Sequence, residues 1–124
     1  MNEEKTLLEF ETYLFGLNTN KEGILKIPTE HYELTNQRLK ITKQGVLTET
    51  KSDIELFKIK DINVTQKLKD KVMDVGDIEI ISADESKPKL VLKRIKNPHE
   101  VREKIRSAVI AAREATGVTY RYDL

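Results

Sequence analysis

Between residues 31 and 42 the chain alternates apolar and polar side chains with a period of two. Tyr32 and Leu34, then Leu39 and Ile41, are separated by Glu33, Lys40 and Thr42. Successive side chains on a strand point to opposite faces, so this spacing predicts two strands with one buried face. Asn36-Gln37 stands between them, and asparagine tolerates the positive φ of a tight hairpin turn. Gln44-Gly45 makes the next break, and residues 46–56 predict a Thr-rich strand with Ile54 and Leu56 on one face. Phe57 and Ile59 have the opposite parity to Ile62 and Val64, which a bulge or bend around Lys60-Asp61 would reconcile. Ile78 with Ile80, and Leu90 with Leu92, predict two more strands on either side of the polar break 83–86.

Three segments carry helical spacing instead. Leu68 and Val72, four apart among lysines and aspartates, predict one or two helical turns ended by Gly76. Asn97 as cap, Pro98 at the first helical position and Glu100 three residues after the cap predict a helix over 98–116. Its buried stripe is Val101, Ile105, Ala108, Val109 and Ala112, and Gly117 ends it. Leu7, Phe10, Leu14 and Leu17 fall on one face of a short amphipathic helix over 3–17, followed by a turn-rich stretch at 18–23. The tail alternates Val118, Tyr120 and Tyr122 with polar residues, and reads as an edge strand or a loose end. The expected organisation is therefore an N-terminal helix and connection over 1–28, a main domain over 29–117 and a tail over 118–124.

Hairpin-spaced strands followed by one amphipathic helix call for an α+β, mainly β architecture. The expected form is a bent antiparallel sheet or barrel, filled by alternate side chains and plugged at its open end by the C-terminal helix. A chain of 124 residues suits one such domain. It carries 22 Lys+Arg against 21 Asp+Glu, so net charge argues against a strongly basic nucleic-acid binder. Without cysteine there is no disulfide, thiolate nucleophile or cysteine-ligated zinc. Neither a secretory signal nor a run of about twenty apolar residues is visible, which makes a cytoplasmic location the expectation.

Several short motifs in order carry a resemblance. They are HYELTNQRLKI at 31–41, the Gly45 turn, DIELFKIKDINV at 53–64, VGDIEI at 75–80 and IKNPHEVREKI at 95–105. Together they resemble the bacterial pleckstrin-homology (PH-like) domain family, over roughly residues 29–112, in a short form without the transmembrane helices that precede the domain in many members. The resemblance implies a PH-like barrel with a C-terminal helix and, for most members, no set ligand. Phosphoinositide-binding members of the wider superfold hold the headgroup with basic residues from a roomy loop joining the first two strands. On the strand assignment above, that connection is only Asn36-Gln37.

Candidate chemistry is sparse. His31 and His99, the only histidines, match no metal-ligand spacing; the serines lack a nucleophile-elbow pattern; the glycines are scattered singly. No enzyme, metal or cofactor is expected. Asp84 and Glu85 read as an exposed turn, and Arg38 reads as a structural hydrogen-bonding or ion-pairing residue, with anion binding as the alternative. Lys58 and Lys60, read as one strand face, and Lys67 stand among further lysines and interleaved acids. They read either as a solvated face or as a contact for an anionic membrane, where each cation contributes about 1 kcal/mol. Leu7, Phe10, Leu14 and Leu17 read as packing on the barrel, or as contacts for a protein partner or a second copy. The functional expectation is a noncatalytic module that binds a protein or self-associates, with peripheral binding of anionic lipid headgroups through the lysine-bearing strands as the alternative.

Overall fold

The computed structural model describes residues 3–13 and 29–116. Among these, two antiparallel sheets and one α-helix enclose a single apolar cluster. The first sheet comprises β1 (Thr6–Glu11), β2 (Thr29–Thr35), β3 (Arg38–Gln44) and β4 (Glu49–Glu55), in that order. The second comprises β5 (Ile59–Thr65), β6 (Val75–Ser82) and β7 (Lys89–Lys96). Short 3-10 helices, Leu56–Lys58 and Leu68–Met73, precede β5 and β6, and α1 (Pro98–Thr116) closes the described chain.

Alternation decides which face each strand buries. Tyr32 lies opposite Ile41, Leu34 opposite Leu39, and Leu39 opposite Ile54, and all five are buried. The Asn36-Gln37 hairpin forms where its sequence placed it, but neither residue takes the positive φ expected there; the Thr35 hydroxyl instead holds the turn, accepting from the amides of Gln37 and Arg38 at 3.1 and 3.0 Å. The parity conflict around Lys60 resolves as a register shift between Ile59 and Asp61. One extra residue lets both Ile59 and Ile62 reach the core. Phe57 lies outside the strand, in the 3-10 helix.

Helix α1 spans its expected range, and its stripe of Val101, Ile105, Ala108, Val109 and Ala112 is buried against the sheets. Asn97 takes a left-handed conformation, φ 52°, and its carbonyl accepts the Val101 amide at 3.1 Å. The helix also closes a sheet edge. Arg102 Nε donates to the Ile62 carbonyl at 2.7 Å and Arg113 donates to the Ile59 carbonyl, satisfying acceptors along β5 that an edge strand would otherwise expose.

Four expectations are corrected. Residues 6–11 form strand β1, not a helix, because Leu8 and Phe10 share the face that packs on the core while β2 supplies the backbone partners. Six residues with apolar positions 7, 8 and 10 satisfy both periods; pairing with β2 decides between them. Leu14 and Leu17 lie outside the described residues, as does the tail. Among the described residues β1 precedes β2, so Asn36-Gln37 joins β2 to β3 and is not the connection between the first two strands. Residues 46–48 turn rather than extend, the Gly45 amide donating to the Thr48 carbonyl at 2.8 Å. Gly76 does not end the preceding helix: Asp74 does so in a left-handed conformation, and Gly76 is buried in β6.

The expected barrel takes the form of two separately hydrogen-bonded sheets folded over one core. At one corner they are joined by Tyr13 and Arg94. The Tyr13 amide donates to the Arg94 carbonyl at 2.7 Å, and Arg94 Nε donates back to the Tyr13 carbonyl at 3.1 Å. Arg94 has φ 54°, at a register shift between Gly76 and Ile78, and Asp77 accepts its amide at 3.0 Å.

Candidate interaction surfaces

A sheet edge can add a strand from another chain, so the fate of each edge defines what the fold offers to a partner. β5 is covered by the α1 arginines. β7 is met near its end by Tyr13. β4 runs Glu49, Thr50, Lys51, Ser52 and Asp53, a polar and charged edge that discourages addition. β1 pairs only with β2 among the described residues, and it is the edge with apolar side chains beside it.

Those side chains border a cleft of about 440 Å³ between β1 and α1. Leu7, Leu8 and Leu34 line the sheet side, and Ser107, Ala108 and Ala111 line the helix side. Adjacent residues on a regular strand face opposite ways. A register shift between Thr6 and Leu8 leaves Leu7 as the extra residue, and both leucines border the cleft. Leu7 is 52% exposed. Glu100, Glu103 and Lys104 form a rim of both signs, with Lys104 Nζ 3.9 Å from Glu100.

A second, more polar cleft of about 540 Å³ lies at the Tyr13–Arg94 corner. Thr12, Glu30 and Thr65 line it with Lys67, Lys69, Asp70, Lys93 and Arg94. Tyr32 is fully buried and donates its hydroxyl to the Glu30 carboxylate. Burial and that neighbouring carboxylate push the phenol well above its usual range.

The structure distributes the residues singled out by sequence rather than gathering them. Arg38 is held by two carboxylates: Nε and Nη2 donate to Glu4 at 2.9 and 3.1 Å, and Nη1 donates to Asp53 at 2.8 Å. Its guanidinium holds the Glu4 carboxyl below the usual carboxylate range, with help from the Thr35 hydroxyl. Lys58 belongs to a 3-10 helix, not to a strand face shared with Lys60; its Nζ is 4.0 Å from Asp84 and 6.0 Å from the Phe57 ring centroid. Lys60 is exposed near the start of β5, whereas Lys67 follows its far end. Phe10 packs on Tyr32 with ring centroids 5.1 Å apart. Of the two described members of the N-terminal stripe, Leu7 borders the cleft and Phe10 does not; Leu14 and Leu17 lie outside the described residues. His31 stands 3.5 Å from Glu9, and His99 stands 3.2 Å from Gln66. Among the described residues no group of three or more His, Asp or Glu is arranged to hold a metal ion, and no helix is long and apolar enough to cross a membrane.

Sequence reasoning missed Leu8 and Ala111. The signal for Leu8 was present, because Leu8, Phe10 and Thr12 alternate with Glu9 and Glu11. No signal marked Ala111, whose place at the cleft depends on where β1 docks.

Among the described residues, seven strands in sheets of four and three, followed by a helix, agree with the architecture expected from the motifs. The family model described as Bacterial PH domain matches residues 23–109. The chain belongs to the bacterial PH domain family. The match includes β2 through β7 and α1 as far as residue 109. β1 lies N-terminal to it. No curated protein matches the chain. Membership suggests an interaction module, since PH domains are in general noncatalytic.

Proposed function

We propose that this bacterial PH domain is a noncatalytic module that captures an extended segment of a protein partner along the outer edge of β1. The observation that carries this reading is the coincidence of the apolar β1–α1 cleft with a strand edge that has no partner strand among the described residues. Backbone pairing with β1 supplies affinity, and alternate apolar side chains of the incoming strand enter between Leu7, Leu8 and Ala111. A second copy of the chain is the self-associating version of the same contact.

Peptides selected from a random display library test the reading. Bound peptides are expected to protect the amides of residues 6–11 from exchange and to lose binding on Ala111→Arg, which fills the cleft from an exposed helix position. Light scattering over a range of concentrations assigns the self-associating version if mass rises for the wild type and not for Ala111→Arg. A monomer whose selected peptides protect other strands and ignore Ala111→Arg overturns the proposal.

A further inference from the structure

Backbone parity decides which groups β1 offers to an added strand. The Thr12 amide donates to the Glu30 carbonyl at 3.0 Å, one step beyond the Glu11–His31 pair of the β1–β2 register. Hydrogen-bonded and non-bonded pairs alternate along an antiparallel ladder, so Phe10 and Leu8 also turn their backbone groups toward β2. Glu9 and Glu11 therefore turn theirs to the outer edge. Tyr13 has the same parity, and its amide donates away from β2, to the Arg94 carbonyl at 2.7 Å. The edge open to an incoming strand thus ends at Tyr13 and is built on Glu9 and Glu11.

The same two residues carry the charge of that edge. Leu8 and Phe10 pack on the core, so alternation puts the Glu9 and Glu11 side chains on the outer face, where both are exposed. Neighbouring residues compensate them little. Glu9 lies opposite Glu33, itself engaged by Thr6 and Lys40, and its one described ion-pair partner is His31 at 3.5 Å. Glu11 forms no ion pair with a described residue. The rim across the cleft is close to balanced, Arg102 bonding Glu103 and Lys104 standing 3.9 Å from Glu100, so β1 itself sets the sign. A strand added here places residues directly opposite Glu9 and Glu11, with Cα atoms about 5.5 Å apart. Its intervening residues point the other way, toward the cleft lined by Leu8 and Ala111.

We infer that β1 selects a segment of a different protein in which Lys or Arg alternates with apolar residues. The cations pair with Glu9 and Glu11 across the new strand pair, and the apolar side chains enter the β1–α1 cleft. This rests on the capture proposed above and names the chemistry of the partner. Charge also argues against a second copy as the occupant. β1 laid antiparallel on β1 sets Glu9 opposite Glu11 twice, and like charges directly opposite are destabilising.

Capped peptides of about ten residues, alternating Val with Lys, with Ser or with Glu, test the inference on the full chain. Fluorescence anisotropy reads their binding, and amide exchange reads its place. The Val-Lys peptide is expected to bind about tenfold more tightly than Val-Ser, and Val-Glu more weakly than either, with the differences narrowing at raised salt. Exchange should slow more at Glu9 and Glu11 than at Leu8 and Phe10, whose amides β2 already holds. Glu9→Gln/Glu11→Gln is expected to reduce Val-Lys binding to the Val-Ser level, and Glu9→Lys/Glu11→Lys to reverse the preference toward Val-Glu. Both positions are exposed, so far-ultraviolet dichroism and Tm serve as folding controls. Glu49→Gln, on the opposite edge of the same sheet, should bind like the wild type, which excludes a general attraction to acids. Equal binding of Val-Lys and Val-Ser at β1, each lost in Ala111→Arg, overturns the inference and leaves the capture standing. Peptides that slow no β1 amide overturn both. A preference for Val-Lys that survives the folded double Gln variant overturns the inference by placing charge recognition elsewhere. So does a mass that rises with concentration in the wild type and not in Ala111→Arg, since the occupant is then a second copy.

Discussion

Arg38 on β3 grips the carboxylate of Glu4 with two hydrogen bonds, Nε to Oε2 at 2.9 Å and Nη2 to Oε1 at 3.1 Å. This paired geometry fastens the approach to β1 onto a hairpin more than thirty residues away in sequence. Asn36 makes the same connection through the backbone, accepting the Lys5 amide at 2.7 Å and donating to the Glu3 carbonyl at 3.0 Å. The edge strand that borders the apolar cleft is thus held at its start by polar contacts as well as by packing.

Arg38→Met is therefore expected to loosen β1 selectively. Amide exchange should accelerate at Leu8 and Phe10 while Ile62 and Ile80, buried in the second sheet, keep their protection. Equal acceleration in both sheets would show that the clasp supports the whole fold rather than one edge.

The pH dependence has a definite sign. Hydrogen bonds lower the carboxyls of Glu4 (from Arg38), Glu33 (from Thr6), Glu79 (from Lys89) and Asp84 (from Ser86) below their ordinary values of 4.5 for Glu and 3.8 for Asp. Their contribution is present above those ordinary values and is lost as pH falls through the lower folded values. Urea midpoints measured downward from pH 5 should fall, and Glu4→Gln should flatten the decline; a steeper decline in the variant contradicts the assignment.

Gly76 is required by close approach. A Cβ there would lie 2.9 Å from the Thr65 carbonyl oxygen and 2.6 Å from Gln66 Cγ, and the former is backbone that cannot swing aside. Gly76→Ala is expected to destabilise the chain by about 1–3 kcal/mol in urea unfolding, the usual cost of overpacking a filled site.

Two aliphatic side chains with helical spacing should behave oppositely. Ile105 is fully buried in α1, so Ile105→Ala is expected to cost about 2–5 kcal/mol. Val72 is exposed, so Val72→Ser is expected to change stability by less than about 0.5 kcal/mol. Thermal or urea unfolding of the two variants reads the difference directly.

Asn97 makes the turn into α1 at φ 52°. Asn97→Ala is expected to cost about 1–2 kcal/mol, because a Cβ without a compensating polar group is strained in that region, while Asn97→Gly should cost less. Comparable losses for the two, by chemical denaturation, would place the role of Asn97 in its side chain instead.

Local order was largely legible where neighbouring residues suffice to decide it. The Asn36-Gln37 hairpin, the bulge at Lys60, the α1 stripe and its Asn97-Pro98 start all follow from short-range sterics and periodicity, and the motif order was enough to point to the family. Position in space was not. The period of residues 6–11 depended on β2 arriving beside them, because their few apolar side chains satisfy a helix or a strand equally well. Leu68 and Ile105 share helical spacing, yet only Ile105 has a sheet to cover. Arg38 carries the same charge as Lys67, but two carboxylates distant in sequence occupy the guanidinium and leave the lysine without a described ion pair. Periodicity determines which way side chains turn; only the folded chain determines what they meet.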